Sequence, residues 1–351
     1  MQKKLISDVQ EYYFYYKNNK SIVPCLDDKS NEKAKLMLNN IYNNYKDNIP
    51  KRFISQWDKV KLYDPNGNID SAHAIILDID QGAYDIKNSL NYLTGKEWTK
   101  FTCSWFVFNA LQKDLKEEQE ICENCVDHPA TYSPTMIEDF ILFFTKEGMK
   151  VIDPFAGIGS TLVACKRTNR IGYGTELNKK YYDIILKRVP EFYKNIYNAD
   201  ARNIKELYND EQFNFCISSP PYWDVLNRST DGFKKTREGN GLDVKYSDLS
   251  NDLGNIADYD QFVGELTKIY LDIFDKLVKG AYIVIIVKNI KKGGKLYPLA
   301  WDLAKSLSNK YVLKDEKIWI QDKIQLSPYG YPYSWASNIL HHYCIILKKE
   351  V

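Results

Sequence analysis

Between residues 150 and 176 the chain lays down a short unit that leaves little choice of fold. Lys150-Val151-Ile152 is a brief apolar run with the character of a buried strand. Asp153-Pro154-Phe155-Ala156-Gly157-Ile158-Gly159-Ser160 follows, and Thr161 to Arg167 then has helical character. A second strand-like segment, Ile171 to Thr175, delivers Glu176, about twenty residues beyond the glycines. Glycines at 157 and 159 allow a sharp turn and let a ligand approach the main chain at a helix N-terminus. An acid at the end of the second strand of a doubly wound sheet is placed to accept ribose hydroxyls. The turn lacks the third glycine of a dinucleotide fingerprint and opens on Asp-Pro-Phe, so the pattern points to a nucleoside site without a pyrophosphate.

A second motif lies downstream. Phe213-Asn214-Phe215-Cys216-Ile217 has the character of a buried strand and runs directly into Ser218-Ser219-Pro220-Pro221-Tyr222-Trp223. At the carboxyl end of a strand such a loop borders the cofactor crevice. Its prolines stiffen the backbone and remove competing N–H donors, leaving the Ser219 hydroxyl and the Pro220 carbonyl as acceptors. Two acceptors against the N–H groups of a planar amine would orient its lone pair, and the Tyr222 ring is a surface on which a base stacks, with Trp223 extending that wall.

Together these segments resemble the S-adenosylmethionine-dependent DNA amino-methyltransferases, the cytosine-N4 and adenine-N6 enzymes of the Ser-Pro-Pro-Tyr type. The likeness covers roughly residues 90 to 351 and includes His128-Pro129-Ala130, which resembles the segment closing over the methionine end of the cofactor, and Thr94-Gly95-Lys96-Glu97-Trp98. It implies an α/β, Rossmann-like fold: a doubly wound, mostly parallel sheet with an antiparallel C-terminal hairpin. It also implies cofactor contacts from His128, Pro129, Ala130, Asp153, Pro154, Phe155, Gly157, Gly159, Ser160, Thr161, Glu176 and Asp200. Ser219, Pro220, Pro221 and Tyr222 are the implied catalytic group. Serine at 219, where the adenine enzymes more often carry aspartate, favours cytosine N4 within the family; adenine N6 and an RNA amine stay open. The implied partner is double-stranded DNA; whether a cognate restriction endonuclease acts at the same site stays open. The target base would have to leave the stack to be reached.

Other features narrow the field. The only Pro-Cys pair, Pro24-Cys25, lies far upstream of the glycine turn, which argues against the thiolate chemistry of C5-cytosine enzymes. The net charge of +2 is near neutral, so a nucleic-acid surface must be local. The loop 224–258 fits, with Arg228, Lys234, Lys235 and Arg237 among glycines and no clear period. A non-enzymatic DNA-binding subunit is disfavoured by the intact Gly157, Gly159, Glu176 and Ser219. Cys122 and Cys125 have half the spacing of a zinc site, but no second Cys-x-x-Cys exists and no metal is expected. No long apolar run suggests a membrane span or signal peptide, so the expected setting is the cytoplasm of a bacterium or archaeon, or a phage-encoded origin.

The expected organisation is a largely helical appendage over residues 1–85, a possible DNA contact, and a catalytic domain over 86–351. Within the latter, Met136 to Phe144, Tyr259 to Val278 and Leu299 to Leu307 are predicted helices. Ala281 to Val287 is a predicted strand after a Lys279-Gly280 break, and Tyr311 to Ile320 with His342 to Leu347 form the closing hairpin, joined by an unusually aromatic connection at 325–335.

Overall fold

The computed structural model describes residues 36, 40, 44, 75–78, 82–85, 88–108, 132–223, 252–321 and 326–350. Two compact units divide the chain, 1–102 and 103–351, so the boundary falls beyond the residue 85 read from sequence.

In the first unit, residues 36, 40 and 44 are helical. Strands β1 (Ile75–Asp78) and β2 (Gly82–Asp85) pair as an antiparallel hairpin, so the described part of the appendage is not purely helical. Helix α1 (Gly95–Phe101) explains the Thr94-Gly95-Lys96-Glu97 pattern physically. Thr94 Oγ1 accepts from Glu97 N at 3.3 Å while Glu97 Oε2 accepts from Thr94 N at 2.8 Å. This reciprocal cap satisfies two otherwise orphaned donors of the first turn.

The second unit is built on an eight-stranded sheet. Its strands are β3 (Trp105–Val107), β4 (Lys150–Asp153), β5 (Ile171–Glu176), β6 (Ile196–Asn198), β7 (Phe213–Ser218), β8 (Leu277–Val287), β11 (Val312–Ile320) and β12 (His341–Lys348). A separate short hairpin pairs β9 (Ile290–Lys292) with β10 (Lys295–Tyr297). The sheet order is β3-β11-β12-β8-β7-β4-β5-β6. The five strands from β6 to β8 are parallel, β12 runs antiparallel to β8, β11 antiparallel to β12, and β3 parallel to β11. The doubly wound sheet and its closing antiparallel pair are those expected.

Helices cover both faces. On one lies α2 (Pro134–Phe144), whose Phe144 ring stacks on Phe215 of β7 at 5.2 Å. On the other, α6 (Tyr259–Lys276) presents Phe262, Leu266, Ile269, Tyr270 and Ile273 at helical spacing to Cys216, Ile283 and Ile285 of the central strands. Residues 283–287 of β8 are all fully buried, which is why this strand reads as an unbroken apolar run rather than an alternating one. Asp258 caps α6, accepting from Gln261 N at 2.7 Å. The remaining helices are α3 (Ser160–Arg167), α4 (Lys179–Arg188), α5 (Ile204–Leu207) and α7 (Leu299–Leu307).

One strand starts earlier than predicted. β8 begins at Leu277, and Lys279-Gly280 sits inside it as an irregularity: the pairing skips from Phe213↔Leu277 to Phe215↔Tyr282, and Gly280 takes φ +85°.

The order β7-β4-β5 sets the functional geometry. The chain winds outward from β4 through β5 to β6, then returns to β7 on the other side of β4. The carboxyl ends of β4 and β7 therefore flank the crevice where ligands bind in sheets of this type.

Candidate active site

The crevice holds a hollow of about 720 Å³, open solvent at its mouth included. Four segments line it: Pro154, Phe155 and Gly157 after β4; Thr175 to Asn178 at the carboxyl end of β5; Ala199 to Ala201 after β6; and Ser219 to Tyr222 after β7. Asp252 and Leu253 close it from a 3₁₀ turn before α6, and Tyr181 contributes from α4.

The turn after β4 is shaped by backbone demands. Gly157 and Gly159 take φ +56° and +87°, a region that favours glycine. A Cβ at Gly159 would also sit 3.1 Å from Ile185 of α4. Gly174 of β5 has a different role: a Cβ there would stand 3.1 Å from the Asp153 carbonyl, so the missing side chain lets the turn pack on the strand.

Glu176 stands at the pocket wall, held by backbone donors. Its Oε2 accepts from Gly157 N at 2.8 Å and its Oε1 from Asn178 N at 2.7 Å. Burial pushes its carboxyl up to about 8 despite those two donors, which favour the charged form. An ionised carboxylate has about four lone-pair sites, so each oxygen keeps capacity for a ribose hydroxyl. A backbone-anchored carboxylate with open acceptor sites at the wall of this crevice fits the ribose of an adenosyl ligand.

Asp153, Gly159, Ser160 and Thr161 lie behind the pocket rather than on it. The fully buried Asp153 accepts from Phe155 N at 3.0 Å, Thr161 Oγ1 at 2.5 Å and the Tyr132 hydroxyl at 2.9 Å. Burial pushes its carboxyl up to about 6. It is a hub that fixes the turn, and Tyr132 ties in the chain that leads from the His128 segment. His128, Pro129 and Ala130 themselves, and Cys122 and Cys125, lie outside the described residues. Asp200 lines the pocket while its carboxylate also accepts from Arg202 N at 3.0 Å and pairs with the Arg202 guanidinium at 2.8 Å.

Across the crevice, Ser219 and Tyr222 share a hydrogen bond, Oγ to hydroxyl 2.9 Å, in which either can donate. When Ser219 donates, both lone pairs of its Oγ are open to an incoming N–H. Behind Tyr222 stands His342 of β12, centroid to centroid 6.0 Å, itself stacked on Trp319 at 4.5 Å. His342 is 8% exposed, its Nδ1 has no hydrogen-bond partner among the described residues, and burial with the charge of Lys288 pushes it down to about 3.

Trp223 requires a correction. Expected to extend the Tyr222 wall, it takes φ +49°, is 2% exposed, and packs against Tyr297 at 4.8 Å and Tyr259 at 5.2 Å beside a separate hollow. The backbone turns over after Tyr222, sending the larger ring into the core. Arg228, Lys234, Lys235 and Arg237 lie outside the described residues.

Sequence reasoning missed Thr175, Leu177, Asn178, Tyr181, Ala199, Ala201, Asp252 and Leu253 as pocket residues. Asn178 and Asp252 carried a local signal as capping residues: Asn178 Oδ1 accepts from Lys180 N at 2.9 Å and Asp252 Oδ1 from Gly254 N at 2.8 Å. Among the described residues, no helix is long and apolar enough to cross a membrane. None of their His, Cys, Asp and Glu side chains form a group suited to a metal ion.

Comparison with known proteins adds the family. The chain is 33% identical over 88 residues to the type II methyltransferase M.HpaI of Haemophilus parainfluenzae, a match spanning 25% of this chain and 28% of that one. It is 40% identical over 88 residues to the orphan methyltransferase M.BamHII of Bacillus amyloliquefaciens, spanning 25% and 31%. In these matches the chain spans under a third of its relatives' own length. A putative DNA modification methylase of Thermus thermophilus, TTHA0409, solved with S-adenosyl-L-methionine, overlaps 43% of this chain and 53% of its own at 22% identity and a TM-score of 0.30. The model of the N6/N4 methyltransferase family, described as DNA methylase, matches residues 2–187, just over half of the sequence. The chain belongs to this N6/N4 DNA methylase family.

Proposed function

We propose that the protein is a site-specific DNA methyltransferase that moves a methyl group from S-adenosyl-L-methionine to an exocyclic amine of a base turned out of the duplex, with cytosine N4 as the target. The observation that carries this is the sharing of one cavity by Glu176 and Phe155 on the cofactor side and Ser219, Pro220 and Tyr222 on the other.

Glu176 would hold the ribose, Pro154 and Phe155 would border the adenosyl group, and Asp200 would face its base edge. When bound, the cofactor supplies an electrophilic sulfonium methyl. An exocyclic amine is a weak nucleophile because its lone pair is delocalised into the ring. Ser219 Oγ and the Pro220 carbonyl accept its two N–H groups and favour a pyramidal nitrogen whose lone pair faces the methyl. The Tyr222 ring stacks on the target base, a contact worth about 1–3 kcal/mol. As the N–C bond forms and the S–C bond breaks, the surplus amine proton leaves to solvent. No cysteine lines the cavity among the described residues, in keeping with direct transfer rather than a covalent enzyme adduct.

Ser219→Ala and Tyr222→Ala test the assignment. Each is expected to lower methyl transfer to DNA at least about a hundredfold, the scale of losing a preorganised group, while cofactor affinity stays within about threefold. Unchanged turnover in both variants sinks it.

A further inference from the structure

The connection between β11 and β12 is built to be seen. Tyr331, Tyr333 and Trp335 are 80%, 94% and 89% exposed, and Tyr329 is 61% exposed. Four large rings so exposed within seven residues are the kind of surface that marks an interaction site. Yet the backbone beneath them is well ordered by hydrogen bonds. Ser327 and Asn338 clasp the base of the loop through two bonds of 3.0 and 2.9 Å. At the tip, Tyr333 N and Ser334 N both donate to the Gly330 carbonyl at 2.8 and 2.7 Å. Gly330 takes φ +81°, and a Cβ there would collide with the Ser334 carbonyl at 2.2 Å. Residues 327–338 are thus held in one shape by their own backbone, and that shape points their rings outward rather than into a core.

Its position follows from the sheet. β11 ends at Ile320 opposite His341, and β12 pairs Tyr343 with Val287 at the end of β8. Since β8 is parallel to β7, the loop leaves the sheet from the same edge as Ser219 to Tyr222. His342, at the start of β12, stands behind Tyr222.

The neighbourhood is basic. Residues 288–298 carry Lys288, Lys291, Lys292 and Lys295 and no carboxylate, and residues 326–340 carry none either. Lys291 Nζ donates to the Ser337 hydroxyl at 2.9 Å and lies 6.0 Å from the Trp335 ring centre. Lys292 and Lys295 share a hollow with Asp258, Asp260 and Asp302, whereas Lys291 is set directly against the loop. Exposed rings interleaved with lysine suit a nucleic acid: the rings take base faces and the ammonium groups take phosphates. A protein partner fits less well, because lysine is depleted at protein interfaces.

We propose that residues 326–337 form a rigid aromatic wedge whose Tyr331, Tyr333 and Trp335 stack on bases of duplex DNA flanking the nucleotide held over Tyr222, with Lys291 on the adjoining phosphate. This rests on the DNA methyltransferase assignment above and adds the surface that holds the duplex open. The wedge supplies stacking partners to replace those lost when the target base swings out, an exchange that unstacked DNA requires.

The test is photo-cross-linking of the full chain, saturated with S-adenosyl-L-homocysteine, to mixed-sequence duplexes containing 5-iodouracil. Adducts are mapped by mass spectrometry of tryptic peptides. The expected result is adducts on Tyr329, Tyr331, Tyr333 or Trp335; adducts confined to other segments overturn the proposal, and adducts there with RNA but not with duplex DNA overturn its choice of partner. In parallel, the triple variant Tyr331→Ser, Tyr333→Ser, Trp335→Ser removes only exposed rings, so its melting temperature and cofactor affinity should hold while its KM for duplex DNA rises at least about tenfold. An unchanged KM in the triple variant, where the wild type does methylate DNA, refutes the wedge alone. A wild type that transfers no methyl to DNA refutes the functional assignment instead.

Discussion

Glu176 offers a test with a worked sign. Its carboxyl is raised to about 8 in the ligand-free protein because burial disfavours the charge more than Gly157 N and Asn178 N favour it. Ribose hydroxyls donate to an ionised carboxylate, so ligand binding must draw that proton off. At pH 7 only about one Glu176 in ten is ionised, from the Henderson–Hasselbalch relation. The affinity for an adenosyl ligand should therefore rise nearly tenfold from pH 6 to 7 and about fivefold from pH 7 to 8, levelling above pH 9. About 0.9 proton should be released per ligand bound at pH 7. The probe is 5′-methylthioadenosine, which lacks the amino-acid end and its titrating amine, and the assay is calorimetry in two buffers of different ionisation enthalpy. Glu176→Gln should abolish the pH slope. It should also weaken binding at pH 9 by at least about tenfold, since a neutral amide loses charge-assisted bonds worth about 1.5–3 kcal/mol each and turns an N–H₂ toward one of the two backbone donors. A wild-type affinity flat from pH 6 to 9, or an equal slope in the Gln variant, refutes the reasoning.

Four further outcomes are expected. Gly159→Ala should lower stability by about 1–3 kcal/mol and weaken cofactor binding, because its φ of +87° and the 3.1 Å approach to Ile185 leave no strain-free place for a methyl. Gly264→Ala, in the middle of α6 with nothing within 4 Å, should instead raise stability by up to about 1 kcal/mol, both read as shifts in melting temperature. His342 is held neutral down to about pH 3 while the unfolded chain takes its proton near 6.5, so its burial costs stability as pH falls. His342→Phe should lose about 2 kcal/mol less than wild type between pH 7 and pH 5 in urea titrations, and an equal loss would show that the imidazole is not the group that matters. Asp153→Asn should cost about 1–3 kcal/mol and loosen the cofactor turn, since an amide oxygen replaces a charged acceptor for Phe155 N, Thr161 and Tyr132. Unchanged melting and cofactor affinity would remove Asp153 from that role.

What was legible in the sequence is what is local. The unit from Lys150 to Glu176 could be read because β4, the glycine turn, α3 and β5 are contiguous, and each glycine answers to a backbone demand within a few residues. β7 and Ser219 to Tyr222 could be read because a fully buried strand writes an apolar run directly before its loop. The illegible parts depend on distant partners. Asp252 and Leu253 reach the pocket only because α6 packs beneath β7, and nothing adjacent to them in sequence says so. β3 joins the sheet beside β11 with exposed Trp105 and Val107, so no apolar run announces it. Asp153 shows how a residue type can be right and its task different: it stands in the motif, yet its carboxylate is spent on the turn rather than on ligand. Trp223 was misplaced because a positive φ at a non-glycine residue leaves no mark in sequence.

The most direct test of the central claim is to identify the methylated nucleoside. The purified protein is incubated with labelled S-adenosyl-L-methionine and unmethylated DNA of mixed sequence, the DNA is digested to nucleosides, and the labelled product is identified by mass spectrometry. N4-methylcytosine is the expected product. N6-methyladenine would keep the cofactor pocket and the Ser219–Tyr222 chemistry but overturn the base, and label appearing only on RNA, or on no nucleic acid, would contradict the account.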